Sequence, residues 1–420
     1  MIPNGPCERI AGTPGQSRPH ILQHSFFVQA RCPGPDPQRG ASVGLYLGPS
    51  DQPRSLWEKL YFRIDPMKKT IAAPPHPDRL ILSEAVAQGH FVRQSDSTEY
   101  PIPGTLNLAL AVGQIILSFA LLGAASQAKT FWATALLAVA FAFLMQLGFG
   151  LAHEAAHSKL HPSSAFNEGL GVLLYSLFPG SYHLFEIAHL VHHRRNRSDA
   201  ELEDYVLPGE IRWRKRAVYY LILCGLFWLL TPLALLTVAM IPGRSIEIPA
   251  PGEKAGGFAR YMQFLNSVNP ARIRRDLLVT VVVWTAAGLL LHLKLSHLAV
   301  CYAAFAFCWA SQQYLYHVRT PRHVVLGAVD LHLWRPFELL YLHFNYHLTH
   351  HVAAWVPWIY LPKIAAEQPR RGYLATYLEQ WRPPQPIETA WPPSFQASGP
   401  LPLRHAAQVV RDREPHEQPA

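Results

Sequence analysis

The chain has 420 residues; half of them are hydrophobic, 15% are charged, and the formal net charge is +9. This apolar composition excludes a highly charged disordered polymer, and five cysteines without a Cys-x-x-Cys pair give no sign of a disulfide framework. No recognised nucleic-acid-binding motif accompanies the positive charge, so we expect no nucleic-acid partner.

The N-terminal 66 residues are rich in proline, glycine and polar residues and show no sustained hydrophobic period. Segments of this kind bury too little apolar surface to fold, so we expect a disordered extension. Met67 is followed by two lysines and is a plausible natural start, which gives the hypothesis that residues 1–66 come from an over-extended reading frame. Residues 67–105 are then expected to form a cytosolic N-terminal segment.

Long apolar blocks without Asp, Glu, Lys or Arg follow, each close to the roughly 20 residues that cross a bilayer as a helix. They are Leu106 to Ala125, Phe131 to Ala152, Ala217 to Ile241, Leu277 to Leu293 and Ser296 to Tyr316. The short links within the first pair and within the last pair predict two helical hairpins. The first block begins too far from Met1 to be a cleavable signal, so it would itself direct insertion.

The side of the membrane follows from the charges between the blocks. The arginine-rich linker from Pro242 to Asp276 should stay in the cytoplasm, because positively charged loops are retained there. The block Ala217 to Ile241 is then re-entrant, and Phe166 to Leu184, interrupted by glycine and proline, lies along the interface. The prediction is an all-α integral membrane protein with four transmembrane helices in two hairpins, multi-pass in a bacterial inner membrane with its site facing the cytoplasm.

Three histidine clusters lie at the margins of these blocks. They are His153-Glu154-Ala155-Ala156-His157, His189-Leu190-Val191-His192-His193 and His347-Leu348-Thr349-His350-His351. Residues three or four apart on a helix share one face, so each cluster can present two or three nitrogens to one place. A single zinc takes about four ligands, whereas this many imidazoles suit two metal ions. Imidazole binds iron, copper, zinc and nickel alike, so the donor type leaves the metal open.

Two other functions fit parts of the pattern. The first cluster spells His-Glu-x-x-His, the zinc metalloprotease motif in which the glutamate is the general base. A membrane protease of this kind would need a third ligand, typically an aspartate on a later helix, and no such segment appears in the later blocks. A histidine-rich metal transporter would be expected to carry transmembrane carboxylates, and the apolar blocks contain none.

The order of the three clusters, with one hairpin before the first and another before the third, resembles the membrane fatty acid desaturase superfamily. The resemblance includes the run Asn345-Tyr346-His347-Leu348-Thr349-His350-His351 and the later Val356-Pro357-Trp358. It implies a desaturase domain over residues 106–362 and a cytosolic, histidine-lined cap that holds two iron ions (Fe2+/Fe3+). The implied ligands are His153, His157, His189, His192, His193, His347, His350 and His351.

The resemblance also implies a ninth ligand. Stearoyl-CoA desaturases carry an Asn-x-x-x-His pair at the end of the last span, and Gln313 and His317 occupy the comparable positions here. His317 is then a further metal ligand, and Gln313 would reach the metal directly or through water. Glutamine in place of asparagine is a departure from that pattern.

The activity implied for such a family member is O2-dependent desaturation of a fatty acyl chain, presented as an acyl lipid, acyl-CoA or acyl-carrier-protein substrate. Hydroxylation or ketolation of a lipid or carotenoid is the alternative, because both reactions can use the same ligands. The chain contains no cytochrome b5 His-Pro-Gly-Gly motif and no cysteine-rich iron–sulfur segment. Electrons are therefore expected from a separate ferredoxin, rubredoxin or cytochrome b5.

Other polar residues are assigned supporting roles. His161, His183 and His343 match no ligand position of the family. Ligating histidines usually donate their other ring N–H to a carboxylate or carbonyl, and the candidates for that role are Glu154, Glu186, Asp199, Glu201, Asp204 and Asp330. Basic residues after the second cluster are expected to contact anionic headgroups or an acidic electron carrier. Residues 363–420, rich in proline, are expected to form a mostly flexible tail.

Overall fold

The computed structural model describes residues 77–88, 91–92, 100–178, 180–243, 246, 262–367 and 369–387. All of them belong to the unit Ala72–Ala420. The extension over residues 1–66, for which we suggested an over-extended reading frame, lies outside the described residues.

The described residues are mainly helical, as predicted. The α-helices are α1 (Pro77–Gln88), α2 (Gly104–Gln127), α3 (Phe131–Ala156), α4 (Ser164–Tyr175), α5 (Tyr182–Arg195), α6 (Arg212–Leu223), α7 (Thr231–Met240), α8 (Pro270–Leu291), α9 (Leu295–Gln313), α10 (Arg335–Leu340), α11 (His347–Val352), α12 (Leu361–Ile364) and α13 (Tyr373–Gln380). Short 3-10 helices cover Leu226–Leu229, Met262–Ser267, Tyr314–Tyr316 and Trp358–Tyr360.

Two small parallel sheets modify the all-α prediction. Strand β1 (Tyr205–Val206) pairs with β4 (Gln385–Pro386), and β2 (Leu331–His332) pairs with β3 (Arg371–Gly372). Each pair joins a loop near the histidine clusters to the C-terminal segment. They were not predictable from hydrophobic alternation, because each strand is two residues long.

The helices of both predicted hairpins are confirmed. Thr130 accepts a hydrogen bond from Ala133 N and so starts α3 immediately after α2. Asn269 caps α8 in the same way through Ala271 N, and His292, at φ +50°, ends it three residues before α9. In the first hairpin α2 and α3 lie side by side, and α9 packs along both of them. Helix α8 packs instead against α7, α5 and α4.

Among the described residues, α2 and α3 are long and apolar enough to cross a membrane. Helix α8 falls short of that measure because its first turns contain Arg272, Arg274, Arg275 and Asp276, and α9 because polar residues interrupt its apolar run. Two candidate spans are therefore present, where four were predicted. The reading of the second hairpin as spanning remains a proposal.

The block Ala217 to Ile241 does not form one helix. It divides into the end of α6, the 3-10 helix Leu226–Leu229 and α7. The break falls at Gly225, whose φ of +77° favours glycine. A Cβ at this position would also lie only 2.3 Å from Ala306 O. None of the pieces approaches the roughly 20 residues of a spanning helix.

Helix α3 lies at the centre of the fold. Its residues are mostly buried, and it contacts α2, α4, α5 and α9. Small residues permit this close packing: a Cβ on Gly148 would lie 2.6 Å from Gln114 Nε2. Because α3 is central, its end, which carries the first histidine cluster, lies next to the segments that carry the other two clusters.

The C-terminal segment corrects the prediction of a flexible tail from residue 363. Residues 363–367 and 369–387 are folded, and α13 lies against the end of α9 through Tyr373 Oη to Gln312 Oε1 (2.9 Å) and Gln380 Nε2 to Ser311 O (2.6 Å). Tyr219 Oη donates to Gln380 O at 2.6 Å. The prolines suggested a disordered chain, but the tyrosines and Gln380 anchor it. The rest of the predicted tail lies outside the described residues.

Candidate metal centre

The first histidine cluster closes α3. His153 lies in its last turn and His157 caps it. The helix ends because Ser158 adopts φ +58°, with Ser158 N donating to Ala155 O and Lys159 N to Glu154 O. This is the hydrogen-bond pattern of a Schellman motif, here with serine where glycine is usual.

Hydrogen bonds to Asp276 of α8 hold the start of α5 in place. Ser181 accepts a hydrogen bond from Leu184 N and donates its hydroxyl to Asp276 Oδ2 at 2.5 Å. Asp276, buried, also accepts from His183 N at 3.0 Å. These bonds set the start of the helix that carries the second cluster.

The third cluster forms the short helix α11. Asp330 accepts from Thr349 N at 3.1 Å and from Thr349 Oγ1 at 2.6 Å. Burial raises the pKa of Asp330 to about 6, while the bonds from Thr349 act in the opposite direction. Val92 N donates to Val352 O at 3.0 Å, so the N-terminal segment also supports this helix.

His317 follows α9 by one 3-10 turn. Its Nδ1 donates to Gly327 O at 2.7 Å, which leaves Nε2 free to face the other histidines. Thr320 Oγ1 also donates to Gly327 O, at 3.0 Å. Gly327 is required here because a Cβ would lie 2.3 Å from Arg197 Cγ.

One group of ring nitrogens combines all three clusters, and we call it the five-histidine group. Its members are His153, His157, His189, His193 and His350, all buried, with ligand atoms within 4.8 Å of one another. The Nε2–Nε2 distances are 2.8 Å for His157 and His189, 3.1 Å for His189 and His193, and 3.0 Å for His193 and His350.

A second group, the four-histidine group, consists of His192, His317, His347 and His351. The Nε2 atoms of His317 and His347 are 2.9 Å apart, and those of His347 and His351 are 3.2 Å apart. The His192 ring lies 4.7 Å from that of His317, centroid to centroid. Together the two groups contain all nine histidines that the sequence indicated as ligands.

The two groups fit metal ions in donor chemistry and spacing. Two nitrogens bound at right angles to one ion, each at about 2.1 Å, lie about 3 Å apart, close to the separations in both groups. In addition, His153 Nε2 is buried without a hydrogen-bond partner. Such an atom is costly unless something binds it, and a cation in the five-histidine group would do so.

Burial keeps most of these rings in the neutral form that binds metal. Loss of water is the largest cause that lowers their pKa values well below the usual range, and the charges of neighbouring histidines lower them further. The residues with this shift are His157, His189, His193, His317, His347, His350 and His351.

The predicted supporting carboxylates have different roles. Glu201 Oε2 lies 2.6 Å from His192 Nδ1, the contact expected of an orienting residue. Asp330 holds α11 through Thr349 rather than through a histidine ring. The remaining candidates bond elsewhere: Glu186 to Tyr182, Asp199 to Arg322 and Asp204 to Arg197.

Glu154 does not take the position of a metalloprotease base. Its Oε2 accepts from Trp358 N at 3.1 Å, and its Oε1 is 3.8 Å from His153 Nδ1. The carboxylate therefore lies on the side of His153 away from Nε2 and ties α3 to the segment after α11. This arrangement, with His350 beside the His-Glu-x-x-His pair, disfavours the protease reading.

The three histidines that were predicted to match no ligand position, His161, His183 and His343, lie outside both groups. His183 is buried between Asp276 Oδ1 (2.9 Å) and Glu168 Oε1 (3.2 Å). His343 Nδ1 lies 3.2 Å from Trp358 O, and burial lowers its pKa to about 4. His161, in the link between α3 and α4, accepts a hydrogen bond from Ser163 N.

Gln313 ends α9, one turn before His317. It lines a small cavity with Gln146, Tyr316 and Phe344. None of the nine histidines lines this cavity, and a contact between Gln313 and a metal remains a prediction.

A buried polar network was missed by the sequence analysis. Arg197, fully buried, donates to Asp204 Oδ1 at 2.7 Å, to Tyr314 Oη at 2.9 Å and to Thr320 O at 2.9 Å. It joins the loop after α5 to the turn before His317. Arg197 is one of the arginines that follow the second cluster, which were expected to contact anionic headgroups or an acidic electron carrier.

A family model described as fatty acid desaturase matches residues 130–382. The match includes the three clusters and His317, and it covers more than half of the chain. A search of curated proteins found no match. The chain therefore belongs to the fatty acid desaturase family.

Proposed function

We propose that the chain is a membrane-bound, non-haem di-iron oxidoreductase that desaturates fatty acyl chains, using O2 and electrons supplied from outside. The observation that carries the proposal is the convergence of three distant clusters and His317 into two groups of buried imidazoles. Family membership supports iron as the metal and a desaturase or hydroxylase reaction. Two apolar helices support attachment to a membrane.

When bound, the irons would supply the O2-dependent oxidising power needed to take hydrogen from an unactivated C–H bond. The chain's own residues hold the ions and keep water away from them. Phe344 meets the His153 ring edge-on at 5.0 Å, and Phe185 stacks on His189 at 5.6 Å. These aromatic walls would strengthen electrostatic interactions in the site and protect a reactive centre from solvent.

Two small cavities suggest the side from which an acyl chain would approach the histidines. One lies against His153 and His350 and is closed on its other side by Leu342 and Phe344. A second shares Gly150 and Phe344 with the first and continues toward Gln313. We propose that the reacting part of the acyl chain would approach His153 and His350 from the side of Leu342 and Phe344. These side chains would have to move apart to admit it, because the cavity has room for about one water molecule.

The remaining assignments follow from this site. The headgroup would stay at the cytosolic surface of a bacterial inner membrane, as an acyl lipid, acyl-CoA or acyl-carrier-protein thioester. The electron donor would be a ferredoxin, a rubredoxin or a cytochrome b5 in contact with that surface. Hydroxylation or ketolation of a lipid or carotenoid is the alternative reaction, because the same imidazoles serve it.

The test is expression of the chain in a heterologous host, followed by mass spectrometry of its lipids. We expect a new unsaturated acyl species that disappears in His350→Ala, since His350 joins the third cluster to the first two. His332→Ala is the matched control, because His332 is exposed and outside both groups. A new hydroxylated or ketonic species would select the alternative reaction, and products unaffected by His350→Ala would contradict the proposal.

A further inference from the structure

The two histidine groups differ in their protection from solvent. Every member of the five-histidine group is buried. In the four-histidine group the His192 side chain is 24% exposed, and Glu201, bonded to it, is 11% exposed. An ion in the four-histidine group would have fewer imidazole ligands and a path to water.

The groups also differ in what supports their rings. His192 Nδ1 is bonded to the Glu201 carboxylate at 2.6 Å, and His317 Nδ1 to the Gly327 carbonyl. The Nδ1 atoms of His193, His347 and His351 are buried without a hydrogen-bond partner. Among the described residues, Glu201 therefore supplies the one anionic acceptor within hydrogen-bond distance of a ring nitrogen in either group.

The Glu201 carboxylate has no other charge to compensate it among the described residues. Its ion-pair contact is His192, and its second oxygen, Oε1, is buried without a hydrogen-bond partner. A carboxylate that is poorly solvated in this way is unfavourable unless a cation lies near. An ion bound through His192 would provide that cation.

Glu201 is held in position by its own loop. Its N–H donates to Ser198 O at 2.9 Å. The loop is anchored on one side by the bond between Asp199 and Arg322 and on the other by the buried pair of Arg197 and Asp204. The carboxylate is thus set against His192 by contacts that do not involve the ring.

Resting on the proposed metal centre, we propose that the four-histidine group is the exchangeable metal position and that Glu201 is the positioning residue that holds its ion. Glu201 keeps the proton on His192 Nδ1, so that Nε2 presents its lone pair to the ion. Its negative charge makes the ring a stronger donor. The five-histidine group, closed and with one more ligand, keeps its ion longer.

The experiment measures iron binding by the full chain, purified in detergent, depleted of metal and reloaded with Fe2+ without oxygen. A chelator then competes for the metal, and the iron retained is measured. We expect wild-type protein to lose its iron in two phases. In Glu201→Ala the affinity for the iron that is lost in the first phase should fall by about 10- to 100-fold, the usual range when a residue that orients a metal ligand is removed. The iron lost in the second phase should be bound as in the wild type.

Two further variants separate the causes. Glu201→Gln retains a hydrogen-bond acceptor for His192 but removes the charge, so its loss should be smaller than that of Glu201→Ala. Glu203→Ala is the matched control: Glu203 is in the same loop and pairs with Lys215 at 3.1 Å, and it should bind iron as the wild type does. Thermal unfolding of the metal-free proteins checks that the variants fold.

A double-mutant comparison locates the effect. In the His192→Ala background, Glu201→Ala should add no further loss, because the two residues act through one contact. Equal weakening of both phases in Glu201→Ala, or no weakening, would overturn the inference. If wild-type protein failed to bind an iron in each group, the proposed function itself would fail, whatever the Glu201 variants showed.

Discussion

The α2–α3 hairpin and the polar region around the histidines, residues 182–206 and 314–387, are built by different forces. In the hairpin, small residues and large apolar residues such as Phe141 and Met145 are buried, while Trp132 and Leu136 face outward, 79% and 72% exposed. The polar region also buries a charged pair, Arg197 and Asp204, whereas the buried polar side chains of the hairpin before its histidine end, such as Asn107 and Gln114, are uncharged. We call this second region the histidine cap.

The difference explains how the metal groups are positioned. Apolar burial is non-directional, so it brings helices together without fixing the direction of a ring nitrogen. Hydrogen bonds and ion pairs are directional, and within a buried network each one restricts the next. The hairpin therefore supports the site, whereas the histidine cap sets the direction of the rings.

The largest effect on stability is expected when the buried ion pair of the histidine cap is removed. Asp204→Ala leaves the Arg197 guanidinium buried without its carboxylate, and the loss of one partner of a buried pair costs about 3–5 kcal/mol. We expect this loss in the free energy of unfolding, measured by denaturant titration in detergent. Glu203→Ala, which breaks a more exposed pair, should cost at most about 1 kcal/mol. Equal losses would mean that the buried network is not what stabilises the cap.

A smaller effect is expected at Gly327. In Gly327→Ala the new methyl group would meet Arg197 Cγ and His323 O at under 3 Å, and overpacking of this kind costs about 1–3 kcal/mol. The shift would also move the carbonyl that accepts from His317, so iron in the four-histidine group should be lost first. Gly169→Ala is the control, because nothing lies within 4 Å of its Cβ position. Normal iron retention in Gly327→Ala would contradict the role of this carbonyl.

The smallest effect is expected on the outer face of the hairpin. Leu136 is 72% exposed, so Leu136→Ala should change the free energy of unfolding by no more than about 0.5 kcal/mol and leave iron content unchanged. The same denaturant titration and iron assay measure both. A loss as large as that of Asp204→Ala would show that this face packs against protein.

Sequence patterns predicted the hairpin well and the histidine cap only in part. The apolar blocks predicted the helices of both hairpins, of which α2 and α3 pack together. Cluster spacing together with family resemblance predicted all nine histidines that converge. Gly327 and Gln380 could not be assigned their roles, because each acts through a partner distant in the chain: Arg197 lies before Gly327 by more than a hundred residues, and Tyr219 before Gln380 by 161. Asp204 was expected to orient a histidine and instead pairs with Arg197. The folding of residues 369–387 was missed for the same reason.

For the spanning helices, the sequence predicted more than the structure supports. Charge-free blocks predicted four spans, and two helices reach the length and apolarity required. In α8 the block begins only after Arg274, Arg275 and Asp276, which belong to the same helix. A block read from composition alone does not show where a helix starts.

The most direct test of the central claim is the iron content of purified wild-type, His350→Ala and His317→Ala proteins. We expect the wild-type protein to contain two irons, one in each histidine group. His350→Ala should lose the iron of the five-histidine group and keep the other, and His317→Ala should do the reverse. A single zinc that survives both substitutions would show that His153 and His157 form an independent site, and would contradict a centre built from all three clusters.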